Sequence, residues 1–136
     1  MQNRESKRAA ICGVSFIALS ESTVTNVPGV SQIKVSGIWD KMKFSSAEFS
    51  EQLSSDGTNY EVNLTISFSD SSQESEKEIM AWIGIYILVR LDYTDGNSRV
   101  VGTDQFPVVL SLSGDGSPHA LRLTYKGQQP ESSKFL

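Results

Sequence analysis

Apolar and polar residues alternate along much of this chain, with the two-residue period of half-buried strands. The run EVNLTISFS sets Val62, Leu64, Ile66 and Phe68 on one face and Glu61, Asn63, Thr65 and Ser67 on the other. QIKVSGIW repeats the pattern with Ile33, Val35 and Trp39 directed inward, and its Gly37 marks a bulge or the close approach of another segment. FPVVLSLS places Phe106, Val108, Leu110 and Leu112 on a common face, and ALRLTYK does the same for Leu121, Leu123 and Tyr125. WIGIYILVRLDY is apolar on both faces as far as Arg90, which predicts a central strand covered on two sides.

Asp56-Gly57, Asp95-Gly96 and Asp115-Gly116 lie between such runs. Glycine takes positive φ without steric cost and aspartate tolerates it, so each pair predicts a hairpin turn. The predicted hairpins join strands around 47–53 and 61–69, 83–93 and 99–105, and 106–113 and 119–126. SSQESEKEIM is the one helical candidate, because Ser71 and Glu74 have capping-box spacing and acidic residues crowd the first turn; a solvated loop is the alternative. The expected fold is therefore all-β, an antiparallel β-sandwich or squashed barrel of about eight strands with at most one short helix.

The chain has 136 residues, one domain by size, and buries roughly two-thirds of its unfolded surface without needing a disulfide or metal. Its single cysteine, Cys12, excludes an intramolecular disulfide and a multi-thiolate zinc site. A net charge of −4 and a pI near 4.9 argue against nucleic acid or an anionic membrane as the main partner. The basic residues form no stripe; the nearest approach to one is Arg4, Lys7 and Arg8. Residues 1–22 have a basic start and an apolar run from Ala9 to Leu19, the outline of a secretory signal, although the run is too short to span a bilayer. Gly13 and Ser15 interrupt the run and no clean cleavage site follows, which favours a polar arm (about 1–9) leading into a buried first strand. A cytoplasmic or virion-associated location is favoured on that reading, and secretion follows if residues 1–22 act as a signal.

Candidate chemistry is sparse. Ser113, Asp115, Ser117 and His119 combine triad residue types, but a triad draws its members from separated segments, whereas these sit together in one turn. Gly, Asp, Ser and Pro are what a tight turn requires, so SGDGSPH reads as a turn. Asp92, Asp95 and Asn97 miss calcium-loop spacing. Glu74, Glu76 and Glu78 read as one solvated charge run, and the Asn63-Leu64-Thr65 sequon lies mid-strand. Trp39 and Trp82 sit in apolar runs where core packing is the default. No catalytic, metal-ligating or cofactor-binding residues emerge, and no enzyme is expected.

The ends stand out. A polar tail (about 127–136), GQQPESSKFL, finishes in Phe135 and Leu136. These residues either fold back locally or form an arm that docks on a neighbouring subunit, in which case truncation from Pro130 leaves the domain folded. The segment 86–113, with Arg99-Val100-Val101-Gly102-Thr103 followed by Pro107-Val108, resembles small all-β structural proteins of bacterial prophages and related mobile elements. That resemblance implies β-domains packed side by side with terminal arms locking neighbours, and it transfers no functional residues.

The expected function is a non-enzymatic structural or assembly subunit, phage-like if the resemblance holds. It would associate through strand edges and terminal arms with other protein subunits as a homo-oligomer, with no nucleic acid and no membrane span. The alternative is a carbohydrate- or peptide-binding β-sandwich module, with Trp39, Tyr60, Tyr86 and Tyr93 as stacking residues. A small hydrolase using His119 is least favoured.

Overall fold

The computed structural model describes residues 10–68, 73–112 and 121–136. The chain is all-β with one short helix and three antiparallel sheets, arranged as a sandwich without barrel closure. The first sheet has the order β11-β8-β7-β1-β4, built from β1 (Ile11–Ala18), β4 (Asp40–Met42), β7 (Ile87–Tyr93), β8 (Ser98–Val101) and β11 (Lys134–Phe135). The second has the order β5-β6-β10-β9, from β5 (Ser46–Leu53), β6 (Tyr60–Phe68), β9 (Ser111–Leu112) and β10 (Leu121–Gln129). A two-stranded ribbon, β2 (Thr23–Asn26) and β3 (Ile33–Ser36), forms the third.

The main core lies between the two larger sheets. Val62, Leu64, Ile66 and Phe68 of β6 meet Val14 and Phe16 of β1 and Ile87, Val89 and Leu91 of β7, all of them buried. A smaller core of Ile17, Leu88 and Val100 lies on the opposite face of the first sheet, under Ile33 of the ribbon. Strand β7 is therefore central and covered on both sides, which is why its sequence lacks alternation. Gly37 takes φ 144°, and a Cβ there would stand 2.6 Å from Ile17 Cδ1. It is the close approach expected where the ribbon folds onto the first sheet. The helix α1 (Gln73–Met80) buries only Ile79, and Trp82 beyond it packs edge-on to Phe16 at 5.6 Å. Ser71 of the expected capping box lies outside the described residues.

Two of the expected hairpins are present. β5 pairs with β6 from Ser46↔Ser67 to Leu53↔Tyr60, and β7 pairs with β8 from Val89↔Val101 to Asp92↔Ser98. The turn of the third, 113–120, lies outside the described residues, although β9 and β10 do pair. The expected strand 106–113 is divided. Val108 bridges to Ile87 and Leu110 to Ile83 of the first-sheet side, and only Ser111–Leu112 join the second sheet. Phe106 and Leu112 are left exposed at its ends while Val108 and Leu110 are buried. The segment does not serve one sheet throughout, because it crosses between the two.

The tail folds back onto its own chain. Gly127–Gln129 continue β10 opposite Tyr60–Val62, and Lys134–Phe135 pair with Arg99 and Val100 of β8. Five of the last ten residues are thus strand, and Phe135 pairs within its own chain.

Candidate functional site

The C-terminal segment forms a clasp across one end of the sandwich. Ser133 donates from its backbone N–H to Glu51 Oε2 at 2.6 Å and from its hydroxyl to Oε1 at 2.9 Å, tying the first sheet to the edge strand of the second. Arg99 donates from Nη1 to Ser133 Oγ at 3.2 Å, and its guanidinium lies 4.4 Å from the centre of the Phe135 ring. Lys134 is buried, and its ammonium donates to Asn26 Oδ1 at 2.5 Å and Val27 O at 2.9 Å while pairing with Glu131 Oε2 at 3.1 Å. Phe135 N–H donates to Ser31 O, and Leu136 N–H to Ser98 O. One short segment therefore fastens both larger sheets and the ribbon loop.

The cavity beneath the clasp, bordered by Val62, Val101, Phe106 and the buried Gln129, holds about 210 Å³. That is smaller than the roughly 300–1,000 Å³ of ordinary ligand pockets. Gln129 is spent on structure, since its Nε2 donates to Phe106 O and to the Tyr125 hydroxyl.

Charge in the clasp is pH-sensitive. Gly29 N–H donates to Glu131 Oε1 at 2.7 Å and holds this carboxyl below its usual range; slight burial opposes the shift and Lys134 assists it. A carboxyl lowered in the folded state contributes stability at neutral pH that is lost as pH falls through the lowered value. The Gly29 amide proton is therefore expected to titrate, by NMR, with a midpoint below the ordinary glutamate value of about 4.3. A midpoint at or above that value would show that the Gly29 bond is not made in solution.

The expected stacking residues do not form one platform. Tyr86 and Tyr93 flank opposite ends of β7, and Tyr86 is 64% exposed while burial raises the pKa of Tyr93 above its usual value. Tyr60 begins β6 opposite Leu53, and Trp39 packs against the small core under the ribbon. The solvent face of the second sheet carries polar cross-strand rows instead, such as Glu48–Thr65–Thr124–Ser111 and Ser50–Asn63–Lys126. Asn63 of the sequon stands exposed in the second row. Asp92 does not await a metal: burial raises its pKa, but hydrogen bonds from Ser98 and Arg90 outweigh this and lower it. Asp56 is held at about 2 by the Ser54 and Thr58 hydroxyls and the Thr58 amide of its turn. Among the described residues no three His, Cys, Asp or Glu side chains group as metal ligands, and no helix is long and apolar enough to cross a membrane. Ser113, Asp115, Ser117 and His119 lie outside the described residues.

Sheet edges are the other notable feature. Among the described residues, strand β5 ends its sheet with eight residues, against two in β9, three in β4 and two in β11 at the other outer edges of the two larger sheets. Its pairing with β6 runs eight residues without a bulge, and SAEFSEQL contains no lysine or proline. Natural edges are commonly guarded by Lys, Pro, bulges or inward-pointing charges. The one inward charge here, Glu51, faces the same side as the buried Val62 and is already held by Ser133. Neither the clasp residues Glu51, Arg99, Ser133 and Lys134 nor the open edge was singled out by alternation, which reports faces and not edges.

No protein-family model matches the chain, and no curated protein or solved structure matches it either.

Proposed function

We propose that the chain is a non-enzymatic structural or assembly subunit that associates with other protein subunits, copies of itself among them, through its sheet edges. The observation that carries this reading is the long, unguarded β5 edge. Strand addition along it supplies main-chain hydrogen bonds without any special side chain. An antiparallel pairing with a second copy centred on Ser50 sets Glu48 opposite Gln52, so no like charges face each other. The prophage-like role implied by residues 86–113 belongs to the same proposal. The separate positions of Trp39, Tyr60, Tyr86 and Tyr93 favour assembly over the carbohydrate- or peptide-binding alternative, which relies on a shared stacking face.

Sedimentation of the full chain across concentration tests the reading. The chain is expected to form a dimer or larger species that dissociates on dilution. Ser50→Lys, which sets two lysines directly opposite each other at the centre of that pairing, is expected to shift dissociation to about tenfold higher concentration or beyond. Circular dichroism should remain unchanged. A full chain that stays monomeric at every concentration overturns the assembly reading, and an unchanged mass profile for the lysine variant overturns the role of β5.

A further inference from the structure

Lys134 is the one buried cation among the described residues, with 4% of its surface exposed. A lysine is almost never taken out of water unless its head group is fully engaged. Here the head group meets three different chemical partners: Asn26 Oδ1 at 2.5 Å, Val27 O at 2.9 Å and Glu131 Oε2 at 3.1 Å. A salt bridge needs only the carboxylate. A carboxamide in contact with the same nitrogen adds an electrophile, so an amine, an amide carbon and a base stand together.

We propose that Lys134 and Asn26 join in an intramolecular isopeptide bond, with Glu131 as the base that moves the protons. The contacts above are those of the chain before reaction. Glu131 is oriented by a third group, because Gly29 N–H donates to its Oε1 at 2.7 Å and leaves Oε2 for Lys134. That bond also keeps the carboxyl below its usual range, so at neutral pH it is ionised and accepts a proton. Nucleophile, base and orienting group thus form the hydrogen-bonded chain by which weak nucleophiles are activated. Asn26 Cγ lies one C=O bond, about 1.2 Å, beyond Oδ1, and so within about 3.7 Å of Nζ. Turning the carboxamide about Cβ–Cγ brings the carbon to the roughly 3–3.5 Å from which attack begins. Asn26 Nδ2, the group that leaves, makes no hydrogen bond among the described residues that opposes the turn.

The step balances without a further reactant. The ammonium of Lys134 gives one proton to Glu131, and the freed lone pair adds to Asn26 Cγ while the carbonyl π pair moves to Oδ1. Glu131 passes its proton to Nδ2 and takes another from Nζ. The oxygen pair then returns, the Cγ–Nδ2 bond breaks, and ammonia leaves with the proton held by Glu131. An ammonium and a primary amide become a secondary amide and an ammonium ion, and the carboxylate is regenerated. The new bond links the end of β2 to β11 across 108 positions. It closes the clasp covalently, so β11 stays on the ribbon when the other contacts open.

Mass spectrometry of the full-length chain, folded, then denatured and digested, tests this. A peptide containing Asn26 joined to one containing Lys134 is expected, with a loss of about 17 Da for the ammonia released. Lys134→Arg, which keeps a cation without a reactive amine, should show no joined peptide. Glu131→Gln keeps the side-chain size and an acceptor for Gly29, and its cross-linking should be about a hundredfold slower or worse, as for removal of a general base. Circular dichroism verifies that this variant is folded. If the Asn26 and Lys134 peptides of the parent chain stay separate after prolonged incubation of the folded protein, the proposal fails. It fails equally if the lost mass lies within a single peptide, the mark of a cyclised asparagine or glutamine. Cross-linking of folded Glu131→Gln at the parent's rate overturns the assignment of Glu131 as the base.

Discussion

Ile66→Ala is expected to destabilise the domain by about 2–5 kcal/mol, the range for truncating a fully buried aliphatic side chain. Ile66 is 0% exposed and sits between Leu64 and Phe68 on the inner face of β6. Its cross-strand neighbours, Ala47 on β5 and Leu123 on β10, belong to paired strands on both sides. Those strands cannot close in on the lost methyl groups without breaking register, so a cavity remains and its cost adds to the transfer energy. Thr65 is the control. It faces the solvent side of the same strand, between Glu48 and Thr124, and Thr65→Ala is expected to cost about 0.5 kcal/mol. Urea titration of the two variants checks this through the midpoint, with the slope m unchanged. Equal midpoints would mean that the outer face of the second sheet is covered as thoroughly as the inner one.

That contrast also shows where sequence is informative. Alternation reports which face of a strand is wet, so β6 and β10, each with one wet face, were legible from EVNLTISFS and ALRLTYK. The loss of alternation in β7 was equally legible, because Leu88 and Val89 are buried under different cores. Asp-Gly pairs located two turns because aspartate and glycine satisfy their geometry locally; Gly57 and Gly96 both take positive φ. Alternation cannot report a strand whose residues serve two sheets, and Val108 to Leu112 changes partners within five residues. Nor can it find a polar strand. Lys134 reads as a tail residue because its burial depends on Asn26, Val27 and Glu131, and the first two are over a hundred positions away. The candidate surfaces were half legible: arms and edges were named as a class, whereas their guarding and partners depend on pairing order alone.

The clasp yields the larger expected effect. Removal of residues 130–136 is expected to bring the domain to the margin of unfolding, with a Tm about 15–20 °C lower. The segment donates charge-assisted hydrogen bonds from a buried ammonium to Asn26 and Val27, and bonds to charged groups contribute about 1.5–3 kcal/mol each. It also provides both hydrogen bonds to Glu51, whose side chain is only 13% exposed and would be left with Arg99 at 4.0 Å. Stripping β11 further uncovers β8, including the buried Val100 beside Lys134. These losses sum to a sizeable share of the roughly 5–15 kcal/mol that stabilises an ordinary domain. Lys134→Met separates charge from strand pairing. It keeps β11 and most of the side-chain volume but leaves Asn26 and Val27 without a donor, and about half the effect of the truncation is expected. Thermal unfolding followed by circular dichroism reads both. If the truncated chain melts within a few degrees of the full chain, the segment is a frayed end in solution, and it would then be free to serve as a docking arm for a neighbour.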